Sequence, residues 1–373
     1  MRIVIARTMA EFSIDVYTNG LISGLKAVRP DWEIIELAPR SFDRSSSSWS
    51  LRIQKYYERF WRYPQKVKQQ VADIYHIIEP CDAHLVYSLK KTDKPTVVTC
   101  HDLINFFYPD NLQGSVQLPL ISRNAWLYSV KGMKFADCII AVSTATAKDT
   151  TQILNIDPAR IAVIPNAVES IFQPLLPEKI ESFRKQQGIS SATICLLNVG
   201  ANHPRKNIST ILQAVEILIQ KGLPIQFWKV GANFTDKQKQ FIENSGISSH
   251  IKYLAKPNKA TLVQIYNAAD ILMAPSLHEG FGITILEAMA CGTPVITSNI
   301  SAMPEVIGEA GVLVNPQDEK EIANAVIHLH ENPISYQALI QKSLTRAKLF
   351  TWEKTAENIA KTYEELMKTR KIS

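Results

Sequence analysis

Short β-branched apolar runs alternate with longer segments of helical periodicity along this chain, and the alternation occurs twice. The first series has apolar runs at residues 2–6, 33–37, 83–87, 96–99, 138–142 and 161–165, with a helical pattern at 14–28. The second has runs at 193–199, 226–230, 251–254, 271–274, 294–297 and 311–314, with helical patterns at 207–221, 259–268 and 283–291. A strand that is apolar on both faces must be covered on both faces. Such strands separated by helices therefore predict parallel sheets sandwiched between helices. The stretch 165–188, with Pro174 and Pro177, reads as the linker between two such units, and a last helix is expected at 352–370. A length of 373 residues suits two domains of about 150 residues each. Open α/β sheets bind ligands at the carboxyl ends of their strands, so two of them predict a ligand cleft.

Composition removes several other classes. With 46% hydrophobic and 20% charged residues, the chain is neither disordered nor fibrous. No apolar run approaches the roughly 18 residues of a membrane span. Residues 1–6 are too short for a signal peptide and suit a first strand. The five cysteines (Cys81, Cys100, Cys138, Cys195, Cys291) are widely spaced with no C-x-x-C pair. Neither a disulfide frame nor a zinc site is therefore expected, and the cytoplasm is the default compartment. No G-x-G-x-x-G follows a strand, which argues against a dehydrogenase. The serine run 45–48 reads as a mobile loop.

Three constellations fall at or just after predicted strand ends. In the first, Gly200 ends a strand, and Arg205 and Lys206 stand just before a helix. A helix N-terminus offers unpaired N–H groups and a positive dipole end, and two adjacent cations can neutralise a diphosphate there. The bland reading is a solvated basic turn. The second is the run from His278 to Ala288, H-E-G-F-G-I-T-I-L-E-A. Gly280 and Gly282 let a ligand approach the backbone, Ile283 opens a helix, and Glu279 and Glu287 could grip hydroxyls at two ends of one molecule. The bland reading makes Glu279 a capping acid and Glu287 an exposed helix residue. The third is His101-Asp102 at the end of the 96–99 strand; a lone His is more often structural.

These runs resemble the family 4 retaining glycosyltransferases. Glu279 to Glu287 is similar to their E-x7-E motif, and Val199-Gly200 with Pro204-Arg205-Lys206-Asn207 to their Arg/Lys diphosphate site. His101-Asp102-Leu103 resembles the HD segment of many members. Val142-Ser143 with Ile164-Pro165-Asn166-Ala167-Val168 resembles a V-S…I-P-N-G-V stretch, with Ala167 at the glycine position. Residues 288–296, A-M-A-C-G-T-P-V-I, complete the likeness.

The resemblance implies the GT-B fold: two Rossmann-like domains with parallel sheets facing a central cleft. They would comprise an acceptor domain at 1–170, joined by a returning C-terminal helix at about 353–373, and a nucleotide-sugar donor domain at 171–352. It implies transfer of a glucose- or mannose-type hexose to a polysaccharide, glycolipid or lipid-linked acceptor, through a front-face mechanism that retains configuration. Arg205 and Lys206 would bind the donor diphosphate beside Gly200. Glu279 would take the transferred sugar's hydroxyls with backbone groups of Gly280, Phe281, Gly282 and Ile283. Glu287 would hold the ribose, and His101 would lie near the sugar. No Asp-x-Asp run ends a strand, so no divalent metal or other cofactor is expected.

One departure concerns the loop after the first strand, where many members carry Gly-Gly. Residues 7–15 here hold no glycine, and Arg7 or Ser13 would contribute side-chain contacts instead. That departure is the only support for the alternative, a non-catalytic nucleotide-sugar-binding or assembly protein.

The net charge of +6 is uneven: residues 52–68 hold six cations and one acid. Ile53, Tyr56, Tyr57, Phe60, Trp61 and Val67 recur there at near-helical spacing, interrupted by Pro64. Such a segment can lie on an anionic membrane surface, or pack its aromatic face on the sheet with its cations solvated. One short basic stripe is a poor nucleic-acid footprint.

Overall fold

The structure is a computed structural model that describes residues 1–8, 12–42, 49–107 and 120–372. The serine run 45–48 and residues 9–11 of the first loop lie outside them. The chain divides into two compact units, Met1–Ala167 with Thr351–Ser373, and Val168–Phe350.

In the first unit, β1 (Arg2–Ala6), β2 (Glu33–Leu37), β3 (Ile74–Ile77), β4 (Thr96–Cys100), β5 (Cys138–Ala141) and β6 (Ile161–Val163) form a parallel sheet in the order β2-β1-β3-β4-β5-β6. One face packs on Tyr63, Val67, Leu85 and Val86. The other packs on Tyr17, Leu21 and Leu25 and on Ile359 and Tyr363 of the last helix, Trp352–Ile372. Glycine lets that helix come close to the helix Phe12–Val28: a Cβ at Gly20 would stand 2.1 Å from Trp352 Cε2. Arg29 locks the pair by bonding Glu357 and Glu364, each at 2.8 Å.

Two expectations need correction here. Residues 83–87 are not a strand: they enter the helix Leu85–Leu89, and the strand is β3 instead. A mostly apolar run of five residues cannot separate helix from strand by periodicity, and Pro80 starts a helical turn just upstream. The strand itself was disguised by His76, a polar residue with no exposed surface whose Nε2 meets Thr99 Oγ1 at 2.7 Å and whose Nδ1 meets the Tyr363 hydroxyl at 2.6 Å. The linker 165–188 is likewise only partly extended. Pro177 opens the helix Pro177–Gln186, a position where its missing N–H costs nothing.

The basic segment is helical throughout. It runs as Trp49–Tyr57, widens to a π-helical turn at Glu58–Arg62, and continues as Tyr63–Lys68 past Pro64. Tyr63 and Val67 are buried against the sheet. Trp49, Ile53, Tyr57 and Trp61, spaced four apart, are exposed by 77%, 49%, 57% and 60%. Thus only its C-terminal part packs as an ordinary domain helix.

In the second unit, β7 (Ile194–Gly200), β8 (Ile225–Gly231), β9 (Ile251–Tyr253), β10 (Ile271–Ala274), β11 (Val295–Ser298) and β12 (Val312–Val314) form a parallel sheet in the order β12-β11-β10-β7-β8-β9. Gly200 and Gly231 end neighbouring strands in register. A Cβ on Gly231 would meet the Gly200 carbonyl oxygen at 2.4 Å, so the two strand tips approach closely because Gly231 lacks a side chain. The central strands β10 and β7 bring the loops that follow them to one end of this sheet.

Candidate active site

The loop after β7 is shaped by backbone polarity. Gly200 adopts a φ of +133°, and His203 caps a 3₁₀ turn, Pro204–Lys206, by accepting from the Arg205 amide. Asn207, also left-handed at φ +59°, fastens the loop by donating to the Pro275 and Pro316 carbonyls, at 3.1 and 2.5 Å. The Leu277 amide donates to the Arg205 carbonyl at 2.7 Å, which joins this loop to the one after β10.

That junction brings three of the expected site residues into contact. Arg205 Nη1 lies 2.5 Å from Glu279 Oε2, and Lys206 Nζ lies 2.5 Å from Glu279 Oε1. Ser276 donates its hydroxyl to the same Oε1 at 2.9 Å. Ser301 accepts from the Glu279 amide at 3.0 Å and donates to its carbonyl at 2.8 Å. Burial alone would raise the Glu279 carboxyl, but Lys206 and Arg205 outweigh it and hold it down at about 2. Glu279 is thus an anion at every physiological pH, clamped between two cations.

Gly282 caps the helix Ile283–Cys291 in a left-handed conformation, φ +97°. A side chain there would also press on Met303, whose Cε lies 2.9 Å from the Cβ position. Phe281 is buried and meets the Phe350 ring edge-on at 5.9 Å, so its backbone, not its ring, is what the loop offers. Glu287 sits one turn into this helix and is neither capped nor fully exposed. Its Oε2 accepts the Tyr266 hydroxyl at 2.7 Å. Burial pushes its carboxyl up to about 7; the Tyr266 bond opposes this and Glu169 adds to it. Two carboxylates eight residues apart are thereby driven in opposite directions, a common mark of sites that bind or act on ligands.

His101 belongs to the first unit. Its Nε2 bonds the Ile78 carbonyl at 3.0 Å, and its ring meets the Tyr17 ring edge-on at 4.6 Å. Burial lowers it to about 4, so it is neutral at pH 7, with Nδ1 as the acceptor when Nε2–H donates to Ile78. Arg7 in the glycine-free loop is already engaged, bonding Asp15 at 2.9 Å and also Glu36. The Ser13 side chain lies outside the described residues. Among the described residues, no group of three His, Cys, Asp or Glu side chains is arranged to hold a metal ion.

Sequence reasoning missed Ser276, Ser301, Tyr266 and the clamping role of Asn207. Ser276 had a signal, three residues before Glu279 on the same loop. Tyr266 and Ser301 had none, because their partners are distant in sequence.

A family model described as glycosyl transferases group 1 matches residues 179–346, and one described as glycosyltransferase family 4 matches residues 12–170. The serotype-specific mannosyltransferase WbdA of Escherichia coli is 27% identical over 309 residues, which are 80% of this chain and 37% of that protein. The chain therefore spans little more than a third of such relatives. The O-antigen chain mannosyltransferase B of Escherichia coli is 29% identical over 72% of this chain and 70% of its own length. Among solved structures, sucrose-phosphate synthase from Thermosynechococcus elongatus has a TM-score of 0.78 at 20% identity, covering 99% of this chain and 100% of that one. Matched over residues 12–170 and 179–346 by two family models, and similar in fold along its length to the solved structure above, the chain belongs to glycosyltransferase family 4, with the GT-B fold.

Proposed function

We propose that the chain is a retaining hexosyltransferase. It moves a hexose from a nucleoside-diphosphate sugar to a polysaccharide, glycolipid or lipid-linked saccharide, without a divalent metal. The observation that carries this reading is the cluster of Arg205 and Lys206 on the two oxygens of Glu279. Two cations beside the Gly200 turn are suited to a diphosphate, and a carboxylate held ionised is suited to sugar hydroxyls. The mannosyltransferase relatives direct the choice of hexose toward mannose.

The chemistry follows from charge. As the hexose C1–O bond to the diphosphate breaks, negative charge grows on the departing phosphate. Arg205 and Lys206, once turned from Glu279 to the bound diphosphate, and the N-terminus of the helix Ile208–Gln220 meet it as fixed positive charge. When the diphosphate draws the two cations, Glu279 keeps Ser276 and is released to accept the hexose hydroxyls. Glu287 receives the ribose hydroxyls, which favour its charged form and lower its carboxyl. The acceptor oxygen bonds to C1 on the face the phosphate leaves, and its proton passes to the departing phosphate oxygen. His101 is neutral and is assigned to the transferred hexose through Nδ1.

The exposed stripe of Trp49, Ile53, Tyr57 and Trp61 is assigned to the cytoplasmic face of an anionic membrane. Arg59 and Arg62 are engaged by Asp82 and Glu58. Arg52, Lys66 and Lys68 flank the stripe as exposed cations in no ion pair among the described residues. An aromatic stripe flanked by cations is the pattern of an interfacial helix.

Thermal shift with UDP-, GDP- and ADP-hexoses, with and without EDTA, tests the donor assignment. One donor is expected to raise the midpoint, equally in EDTA. Transfer is expected to collapse in Glu279→Ala and in Lys206→Ala; full turnover in both variants would sink the site assignment.

A further inference from the structure

Among the described residues Lys229 is the one lysine with a fully buried side chain, with no exposed surface. It lies two residues before the end of β8, in register with the buried Asn198 on β7. Its Nζ donates to the Gly200 carbonyl at 2.9 Å and to the Val230 carbonyl at 2.8 Å. Among the described residues these carbonyls are its partners, and no carboxylate pairs with it. A buried ammonium without an anion is expensive, and a strand built for stability alone would carry an aliphatic residue there.

Its surroundings explain why a cation is kept. Lys229 sits under the Gly200 turn, and Lys206 passes over the same residue, with its Nζ 3.8 Å from where a Gly200 Cβ would stand. The Gly200 carbonyl also accepts the Ala232 amide at 3.1 Å, so both of its acceptor positions are filled and the turn is fixed. Around this point face Lys206 from the 3₁₀ turn, Glu279 through Lys206, His203 at the head of that turn, and the Tyr253 phenol, which donates to the Gly231 carbonyl at 2.8 Å. Burial, and then the charge of Lys206, lowers Lys229 to about 8. A group already strained by a like charge gains most when an anion arrives.

We propose that Lys229 is a positioning residue of the donor site, a buried third cation that fixes the Gly200 turn and lends its charge to the donor diphosphate seated against Lys206. This rests on the reading of Arg205 and Lys206 as a diphosphate site. The linkage has a definite sign. Below pH 8 the free protein holds the proton and binds the anion well; as pH rises through 8 the free protein loses it, and affinity falls. Glu287, near 7, gives a change of opposite sign, since hydroxyls bind its charged form.

The test is calorimetric titration with UDP, GDP and ADP at pH 7 and pH 9, on the wild type, Lys229→Met and Lys229→Arg. The wild type is expected to bind its preferred diphosphate about fivefold more weakly at pH 9 through Lys229, the result of one pKa unit of coupling, before the opposing gain at Glu287. Lys229→Met is expected to bind about tenfold more weakly at pH 7, to lose the fall at pH 9, and to melt no lower than wild type. Wild-type affinity in folded Lys229→Met overturns the proposal. Lys229→Arg keeps its charge at both pH values and is expected to show no fall at pH 9, only the small gain from Glu287. A pH loss unchanged in Lys229→Arg overturns the proposal even if Lys229→Met does not fold. Failure of the donor-site reading looks different: the wild type then binds none of the three nucleotides.

Discussion

Glu287→Gln separates stability from binding. The Glu287 carboxyl stands at about 7 in the folded protein, against 4.5 for an ordinary glutamate. The folded state therefore binds more protons than the unfolded state between those values. Stability attributable to this residue falls as pH rises from 4.5 to 7 and then levels off. A shift of this size corresponds to about 3 kcal/mol at pH 8. The amide that replaces the carboxyl still accepts the Tyr266 hydroxyl but carries no charge. Glu287→Gln is thus expected to be about 3 kcal/mol more stable than wild type at pH 8 and nearly equal to it at pH 4. On the proposed reading the same variant would offer a neutral acceptor to the ribose hydroxyls, so nucleoside-diphosphate affinity is expected to fall about tenfold at pH 8. Urea denaturation at the two pH values reads the first effect, and calorimetric titration reads the second. A variant that is less stable at pH 8, or one that binds as wild type does, refutes the reasoning.

The other carboxylate behaves in reverse. Glu279 is lowered to about 2, so its contribution to stability is present above pH 4.5 and is lost as pH falls toward 2. Acid titration by circular dichroism should show that loss in wild type and not in Glu279→Gln. Gly20→Ala drives a methyl into Trp352 and is expected to cost about 1–3 kcal/mol, read as a lower melting midpoint with the fold retained. Replacing both Trp49 and Trp61 by alanine is expected to abolish co-sedimentation with anionic vesicles at low salt while leaving the melting midpoint unchanged, because both side chains are exposed. Wild-type protein left in the supernatant would remove the membrane assignment.

The sheets were legible because their strands announce themselves. Runs such as Ile271–Ala274 and helices such as Ile283–Cys291 begin and end where apolar periodicity does. Legibility failed where a polar residue is buried for a reason far away in sequence. His76 hid β3 because its partner Tyr363 lies 287 residues on. Lys229 sits inside a strand whose pattern is otherwise apolar, and nothing local tells a buried ammonium from a half-exposed one. In the basic segment, periodicity predicted a helix but not which aromatics face inward, since Tyr63 and Trp61 are equally apolar to a sequence pattern.

The sequence motif assigns both glutamates the same status, as two acids flanking a glycine turn, and the structure gives them opposite electrostatics. Glu279 has two cations within 2.5 Å and stays ionised. Glu287 has one phenol at 2.7 Å and a carboxyl near neutrality. A diphosphate changes the surroundings of both. On the proposed reading it would compete with Glu279 for Arg205 and Lys206, while its ribose would offer Glu287 further donors. The site thus holds an ion cluster that such a ligand would rearrange and a destabilised carboxylate that it would relieve. On that reading, binding energy gained at Glu287 and Lys229 would offset what is lost in loosening Glu279. A chain selected for stability alone would have resolved both strains with a neutral residue at 287 and an aliphatic one at 229.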